Sequence, residues 1–208
     1  MAQAPKAKRA DGTKPADRAS EAAQASDEAL MARAGRGDRL AAGELTVRHA
    51  DRVMAVCHRL LADRELAEDA TQETFLRLWR AAPTWRAGEA KLSTWLYRVA
   101  TNLCLDRLRR RKREAPEEAA PERVDAAPLA DARLEMEERR RAVAAAIGEL
   151  PERQRLALTL RHYEELSNAD AAAVMDVSEE AVESLLARAR RALKNKLAPR
   201  RRDLLETG

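Results

Sequence analysis

From Arg107 to Arg113 the chain reads RLRRRKR, and six of these seven side chains are cationic. The chemistry that uses so dense a charge is the neutralisation of phosphates along a nucleic acid. On a helix, Arg98, Asn102 and Arg109 share one narrow polar stripe flanked by Asp106, while Leu96, Val99, Ala100 and Leu103 turn the other way. Arginine can hold a phosphate and asparagine can read a base edge, so this stripe could track one DNA strand. Ahead of it lie Trp85, Arg86 and Lys91, a cationic loop with an aromatic, which suits unstacked single-stranded bases better than duplex. A plainer reading stands beside this one, in which Trp85 and Trp95 are core residues and the arginines a solvated helix end.

A second set of residues suggests a protein partner. Glu65, Asp69, Gln72, Leu76 and Trp79 fall on one side of a helix, opposite a core face of Ala67, Ala70, Thr71, Thr74, Phe75 and Leu78. Leucine and tryptophan inside a polar stripe form a docking patch, the apolar pair giving burial energy and the polar rim setting orientation. Alternatively, Trp79 folds over the edge of the core. A third set, Ser167 to Leu193, has the form of a helix-turn-helix, with Ser167 or Asn168 capping a short helix. Asp176 sits where the turn wants a left-handed residue, and Ser178 caps the next helix. Val182, Leu185, Leu186, Ala189 and Leu193 face inward; Ser178, Glu180, Glu183, Ser184, Ala187, Arg188 and Arg191 are the candidates for duplex contact.

Enzymatic chemistry has little to draw on. His49, His58 and His162 show no ligand spacing, and no Gly-rich phosphate loop is present. Cys57 and Cys104 stand far apart in sequence without a CxxC or Cys/His pattern, so neither zinc nor a disulfide framework is expected. No catalytic residue, metal or cofactor is assigned. No run of about 18 apolar residues exists and the N-terminus lacks an apolar signal region, so a cytoplasmic protein without direct membrane insertion is expected.

The elements that must position these groups are helices. Among the 208 residues, aromatics make up 3% and charged residues 36%, and alanine, leucine, arginine and glutamate dominate, which is helical usage. The net charge of +4 hides a segregation, because Glu114 to Ala132 carries six acids against Arg123. The expected fold is all-α, with two small helical domains joined by a flexible linker. Residues 1–25 read as a disordered arm, 26–113 as a four-helix domain and 114–130 as an acidic linker with three prolines. Residues 131–197 form the helix-turn-helix domain, and 198–208 a basic tail. Helices are expected over Asp27 to Ala34, from Asp38 as a cap through Leu61, from Asp63 as a cap to about Ala82, and from near Ser93 into the arginine run. In the second block, one helix spans Asp131 to Leu150 and another has Pro151 at its first position and runs to about Glu165.

Three stretches in series resemble the extracytoplasmic-function group of sigma factors in the sigma-70 family. DRELAEDATQETFLRLWR, Asp63 to Arg80, resembles the region 2.2 signature, and WLYRVATNLCLDRLRRRKR, Trp95 to Arg113, the helix that recognises the minus-10 element. ELPERQRLALTLRHYEELS, Glu149 to Ser167, leading into VSEEAVESLLARARRALK, Val177 to Lys194, looks like region 4. The resemblance covers roughly residues 27 to 197 and implies a promoter-recognition subunit, not an enzyme. Asp69, Gln72, Leu76 and Trp79 would dock on the clamp coiled coil of core RNA polymerase. The loop from Trp85 to Thr94, with Arg98, Asn102, Asp106 and Arg109, would capture the non-template strand of the minus-10 element. The second helix of region 4 would read the minus-35 element of promoter DNA beside the polymerase flap. An anti-sigma factor as a further partner and a stress-response regulon are also implied. Relatives usually carry a basic residue at Glu183, often arginine at Leu185, and glycine at Asp176 and Glu180, so the acidic start of this recognition helix departs from the pattern. Two other functions fit parts of the residue pattern: a transcription regulator that binds duplex DNA unaided, and a helical interaction protein with no nucleic-acid role.

Overall fold

A computed structural model of the chain describes residues 25–86, 88, 91–114 and 132–203. The expected N-terminal arm up to residue 24 and the linker from 115 to 131 lie outside the described residues. Among the described residues, eight α-helices follow one another: α1 (Asp27–Ala34), α2 (Arg39–Leu61), α3 (Arg64–Ala81), α4 (Leu92–Glu114), α5 (Ala132–Gly148), α6 (Glu152–Leu158), α7 (Asn168–Met175) and α8 (Glu179–Asp203). Among the described residues there is no strand, as the composition leads one to expect.

Local chemistry sets the helix starts. Four orphan N–H groups at each N-terminus need acceptors, and a short polar side chain just ahead can supply one. Ser26 accepts from Ala29 N–H at 3.2 Å, Asp38 from Leu40 at 3.0 Å and Ala41 at 3.2 Å, and Asp63 from Leu66 at 3.1 Å. Burial pulls the Asp38 carboxyl upward, but the Arg33 guanidinium and these two N–H groups bring it below its ordinary value. α1 ends against the 3-10 turn Ala82–Thr84, where a Cβ on Gly35 would lie 2.5 Å from the Ala82 carbonyl oxygen. Only glycine permits that approach.

α2, α3 and α4 pack together with α1 across one end. Leu30, Met31, Leu45, Val53, Val56, Leu60, Leu78 and Leu96 are fully or almost fully buried between them. The expected core face of α3 is realised at Ala67, Ala70, Thr74, Phe75 and Leu78, while Thr71 is half-buried at its border. Both threonines return their hydroxyls to the carbonyl one turn back, Thr71 to Ala67 at 2.8 Å and Thr74 to Ala70 at 2.7 Å, so neither leaves a bare polar group inside. Cys57 and Cys104, distant in sequence, meet between α2 and α4 as free buried thiols. Donation to the Cys57 sulfur, with burial added, holds the Cys104 proton well above the ordinary thiol range.

In the second half, Pro151 is the extended residue before α6 (φ −51°, ψ 140°) and not its first helical position, a shift of one residue from expectation. The helix also does not run on unbroken to Glu165. It widens into a π-turn over Thr159–Tyr163, where Glu164 N–H bonds Thr159 C=O at 3.2 Å, and leaves through Glu165 at φ 55°. That exit frees the chain to re-enter as α7, capped by Ser167, whose side chain accepts from Asp170 N–H at 3.0 Å. Asp176 closes α7 in the left-handed conformation (φ 53°, ψ 55°), and Ser178 starts α8 by accepting from Ala181 N–H at 3.2 Å. Val182, Leu186 and Ala189 are buried, with Leu185 and Leu193 partly so. α8 then continues past the expected boundary at 197 to Asp203.

Candidate nucleic-acid and partner interface

Along α3, the 100° step that buries Leu78 turns Leu76 outward, and Leu76 is 50% exposed among the exposed Asp69 and Gln72. Trp79 joins this face only in part. It is half-buried, its ring lying 6.1 Å from that of Phe75 at a 37° tilt, so one side of the indole rests on the core edge and the other borders the patch. Trp79 is therefore a core-edge residue, half-buried beside the patch. Neighbouring ion pairs within α3, Arg64 to Glu68 at 2.8 Å and Arg77 to Glu73 at 2.9 Å, hold a charged rim around the patch.

The α4 stripe forms as its spacing demands. Arg98, Asn102, Asp106 and Arg109 are all exposed, and Arg109 pairs with Asp106 at 3.2 Å. The cationic run from Arg109 to Arg113 continues outward on the same helix, with every side chain exposed. Before it, Trp85 meets Trp95 edge-to-face at 5.7 Å between centroids, which leaves Trp85 half-buried against the core and anchors the loop that carries exposed Arg86 and Lys91. At the start of α8 and along it, Ser178, Glu180, Glu183, Ser184, Ala187, Arg188 and Arg191 are all exposed. Glu183 accepts from Asn168 Nδ2 at 3.1 Å, which ties α7 to α8. At Glu180, its own backbone N–H and the Ser178 hydroxyl lower the carboxyl pKa and favour the charged form.

A set of contacts between the two helical blocks has no counterpart in the sequence pattern. Tyr97 on α4 donates its hydroxyl to Glu164 Oε2 at 2.8 Å, and Arg59 on α2 reaches Glu164 Oε1 at 3.3 Å, with the Glu164 side chain only 5% exposed. The Arg59 guanidinium also stacks 4.2 Å above the Tyr163 ring. Burial first, then its bond to Glu164, raises the Tyr97 phenol far above its ordinary range. Toward solvent, Lys91 pairs with Asp170 at 3.3 Å and Arg98 with Asp176 at 3.3 Å. Hydrogen bonding from Ser167, and then the Lys91 charge, lower the Asp170 carboxyl below its ordinary value. The partners in these contacts stand 67 to 105 residues apart, so no local pattern could have marked them. The only sequence signal was the acidic side chain at Asp176, noted as a departure.

The comparisons with known proteins agree with the order of these surfaces. Residues 45–114 match the family model of sigma-70 region 2, and residues 140–193 match that of sigma-70 region 4. The RNA polymerase sigma-H factor of Pseudomonas aeruginosa is 33% identical over 189 residues, spanning 85% of this chain and 96% of that protein. The ECF RNA polymerase sigma-E factor of Escherichia coli K12 is 32% identical over 190 residues, with the same 85% and 96% coverage. Among solved structures, CnrH in complex with the cytosolic domain of CnrY is similar with a TM-score of 0.62 and 27% identity, over 83% of this chain and 97% of that one.

Proposed function

The chain belongs to the sigma-70 family as an extracytoplasmic-function sigma factor, and we propose how its surfaces divide the work of starting transcription. Asp69, Gln72, Leu76 and Trp79 dock on the clamp coiled coil of core RNA polymerase, with Leu76 supplying burial and the polar rim setting register. Trp85, Arg86, Lys91, Arg98, Asn102, Asp106 and Arg109 take the non-template strand of the minus-10 element. Unstacking each base step costs a few kcal/mol, which phosphate contacts and stacking on this loop and helix offset. The outer face of α8 enters the major groove at the minus-35 element. There Arg188 and Arg191 hold phosphate, and Glu180 and Glu183 can accept from cytosine amines. Catalysis stays with the polymerase.

The observation that carries this reading is the placement of three solvent-facing surfaces in the order of the two matched regions: an apolar-centred patch on α3, a cationic stripe on α4 and a capped second helix at α8. The protein works in the cytoplasm, where polymerase and promoters are. Among the described residues no helix is long and apolar enough to cross a membrane. A separate protein partner, an anti-sigma factor, belongs to the same reading, in line with the capture of CnrH with the cytosolic domain of CnrY. So does control of a stress-response regulon. In vitro transcription from a genomic promoter library with sigma-free bacterial core polymerase tests the proposal. Transcripts should appear only when the protein is added, from starts that share two spaced upstream elements. A protein that shifts duplex DNA by itself but yields no transcripts would refute it in favour of an unaided DNA-binding regulator.

A further inference from the structure

The end of α8 assigned to the major groove is acidic. Glu179, Glu180 and Glu183 fall within its first two turns, while Arg188, Arg190, Arg191 and Lys194 come later. Phosphates repel carboxylates, so an acid placed here needs a compensating role. Helix chemistry accounts for two of the three. Glu179 and Glu180 stand in the first turn, where the positive end of the helix dipole favours an anion. The Glu180 carboxylate also accepts from its own backbone N–H and from the Ser178 hydroxyl, so it is engaged in closing the helix start. Glu183 lies a turn further on, past the reach of that field. It is exposed, and the residue one turn onward is Ala187, which carries no charge to pair with it. Among the described residues Glu183 has no ion pair and a single hydrogen bond, from Asn168 Nδ2 to Oε1 at 3.1 Å. Its second oxygen, Oε2, is free to accept.

Asn168 supports that arrangement from α7. It is the first residue of the helix, directly after the capping Ser167, and its Oδ1 is buried without a hydrogen-bond partner. A flipped amide would set that oxygen against the carboxylate, so charge decides which end faces Glu183. We infer that Glu183 is the base-reading residue of α8 and selects cytosine, with Asn168 as the positioning residue that holds one carboxylate oxygen and leaves the other for the base. The inference rests on the reading of α8 as the minus-35 helix. In the major groove cytosine offers an amine donor, guanine two acceptors, and thymine an acceptor and a methyl group. A carboxylate gains from the first and is repelled by the second, so the charge that weakens binding at a wrong base sharpens the choice. Adenine, with an amine beside an acceptor, ranks between them. Arg188 and Arg191 hold phosphate and carry no sequence information of their own.

The test uses holoenzyme assembled from core polymerase and the full chain, on a promoter it transcribes, with the minus-35 element randomised and every template identified by a tag sequenced from its transcript. At one position of one strand the wild type should favour cytosine over guanine about tenfold. Glu183→Arg should turn that position to guanine, whose two acceptors an arginine meets together, and Glu183→Gln should move it toward adenine. Preferences elsewhere should stay as they are. Asn168→Ala should keep the cytosine preference but reduce it severalfold at an unchanged melting temperature. A lower melting temperature with the full cytosine preference would make Asn168 a structural residue and overturn its positioning role. Identical base profiles for the wild type and both Glu183 variants overturn base reading by Glu183 and leave the minus-35 assignment of α8 in place. If no position of the randomised element matters to the wild type, that assignment fails, and this inference with it.

Discussion

Truncating Leu76 separates a docking residue from a core residue two positions away. Leu76 is 50% exposed in the free protein and Leu78 is 0% exposed, on the same helix. Fully burying a leucine is worth about 1.5–3 kcal/mol, so the half of Leu76 already covered contributes about 1 kcal/mol to the fold. The uncovered half leaves about 1 kcal/mol for a partner to gain, roughly fivefold in Kd. Leu78→Ala, by contrast, leaves a cavity and should cost the fold about 2–5 kcal/mol. In thermal unfolding, Leu76→Ala should lower Tm by about 2–4 °C, and Leu78→Ala several times as much. Fluorescence anisotropy with core polymerase should show the fivefold weakening for Leu76→Ala. Trp79→Ala is a poorer probe, because its contact with Phe75 makes it a fold residue as well. The reasoning is refuted if Leu76→Ala destabilises the fold as much as Leu78→Ala, or if polymerase affinity stays within about twofold of wild type.

Asn102→Ala, at an exposed position of α4, should leave polymerase affinity unchanged yet reduce promoter opening about tenfold, read by permanganate reactivity of unpaired thymines. Equal loss of both would contradict the division of surfaces. Arg188→Ala and Arg191→Ala should each lower the slope of log affinity against log salt by about 1 for minus-35 duplex, measured by titration across salt concentrations. An unchanged slope would remove that arginine from the phosphate contacts. For Tyr97 the folded state favours the protonated phenol, so its contribution to stability is complete below the ordinary tyrosine pKa of about 10 and is lost as pH rises through the raised folded value. The chain has two tyrosines, and the near-ultraviolet phenolate titration should contain a late step that vanishes in Tyr97→Phe and moves toward the ordinary value in Glu164→Gln. A late step insensitive to Glu164→Gln would show that this contact does not set it.

Sequence sufficed wherever the deciding physics is local. Capping side chains at Ser26, Asp38, Asp63, Ser167 and Ser178, the left-handed turn at Asp176, and the periodicity that buries Leu78 while exposing Leu76 act within one or two turns of helix, so their spacing is written in adjacent residues. The bounds of α1 and the starts of α2 and α3 follow from them, as do the exposed stripe of α4 and the outer face of α8. The sequence was less informative where two local preferences compete. The one-residue shift at Pro151 and the π-turn that ends α6 turn on where backbone groups find partners, and composition does not encode that. Trp79 and Trp85 belong to the same class, because spacing alone does not say how far an amphipathic ring at a core edge is buried.

Tertiary structure alone decided the contacts between segments far apart in the chain. Cys57 and Cys104 read as isolated residues and meet as buried thiols, because α2 and α4 pack side by side. Glu164, Asp170 and Asp176 lie in one block and prove to be the partners of Arg59, Tyr97, Lys91 and Arg98 in the other. A helix pattern specifies which face is apolar or charged, but not which other face it will meet. That choice is made by the sum of burial and ion pairing between the blocks, a sum over residues that are neighbours only once the chain has folded.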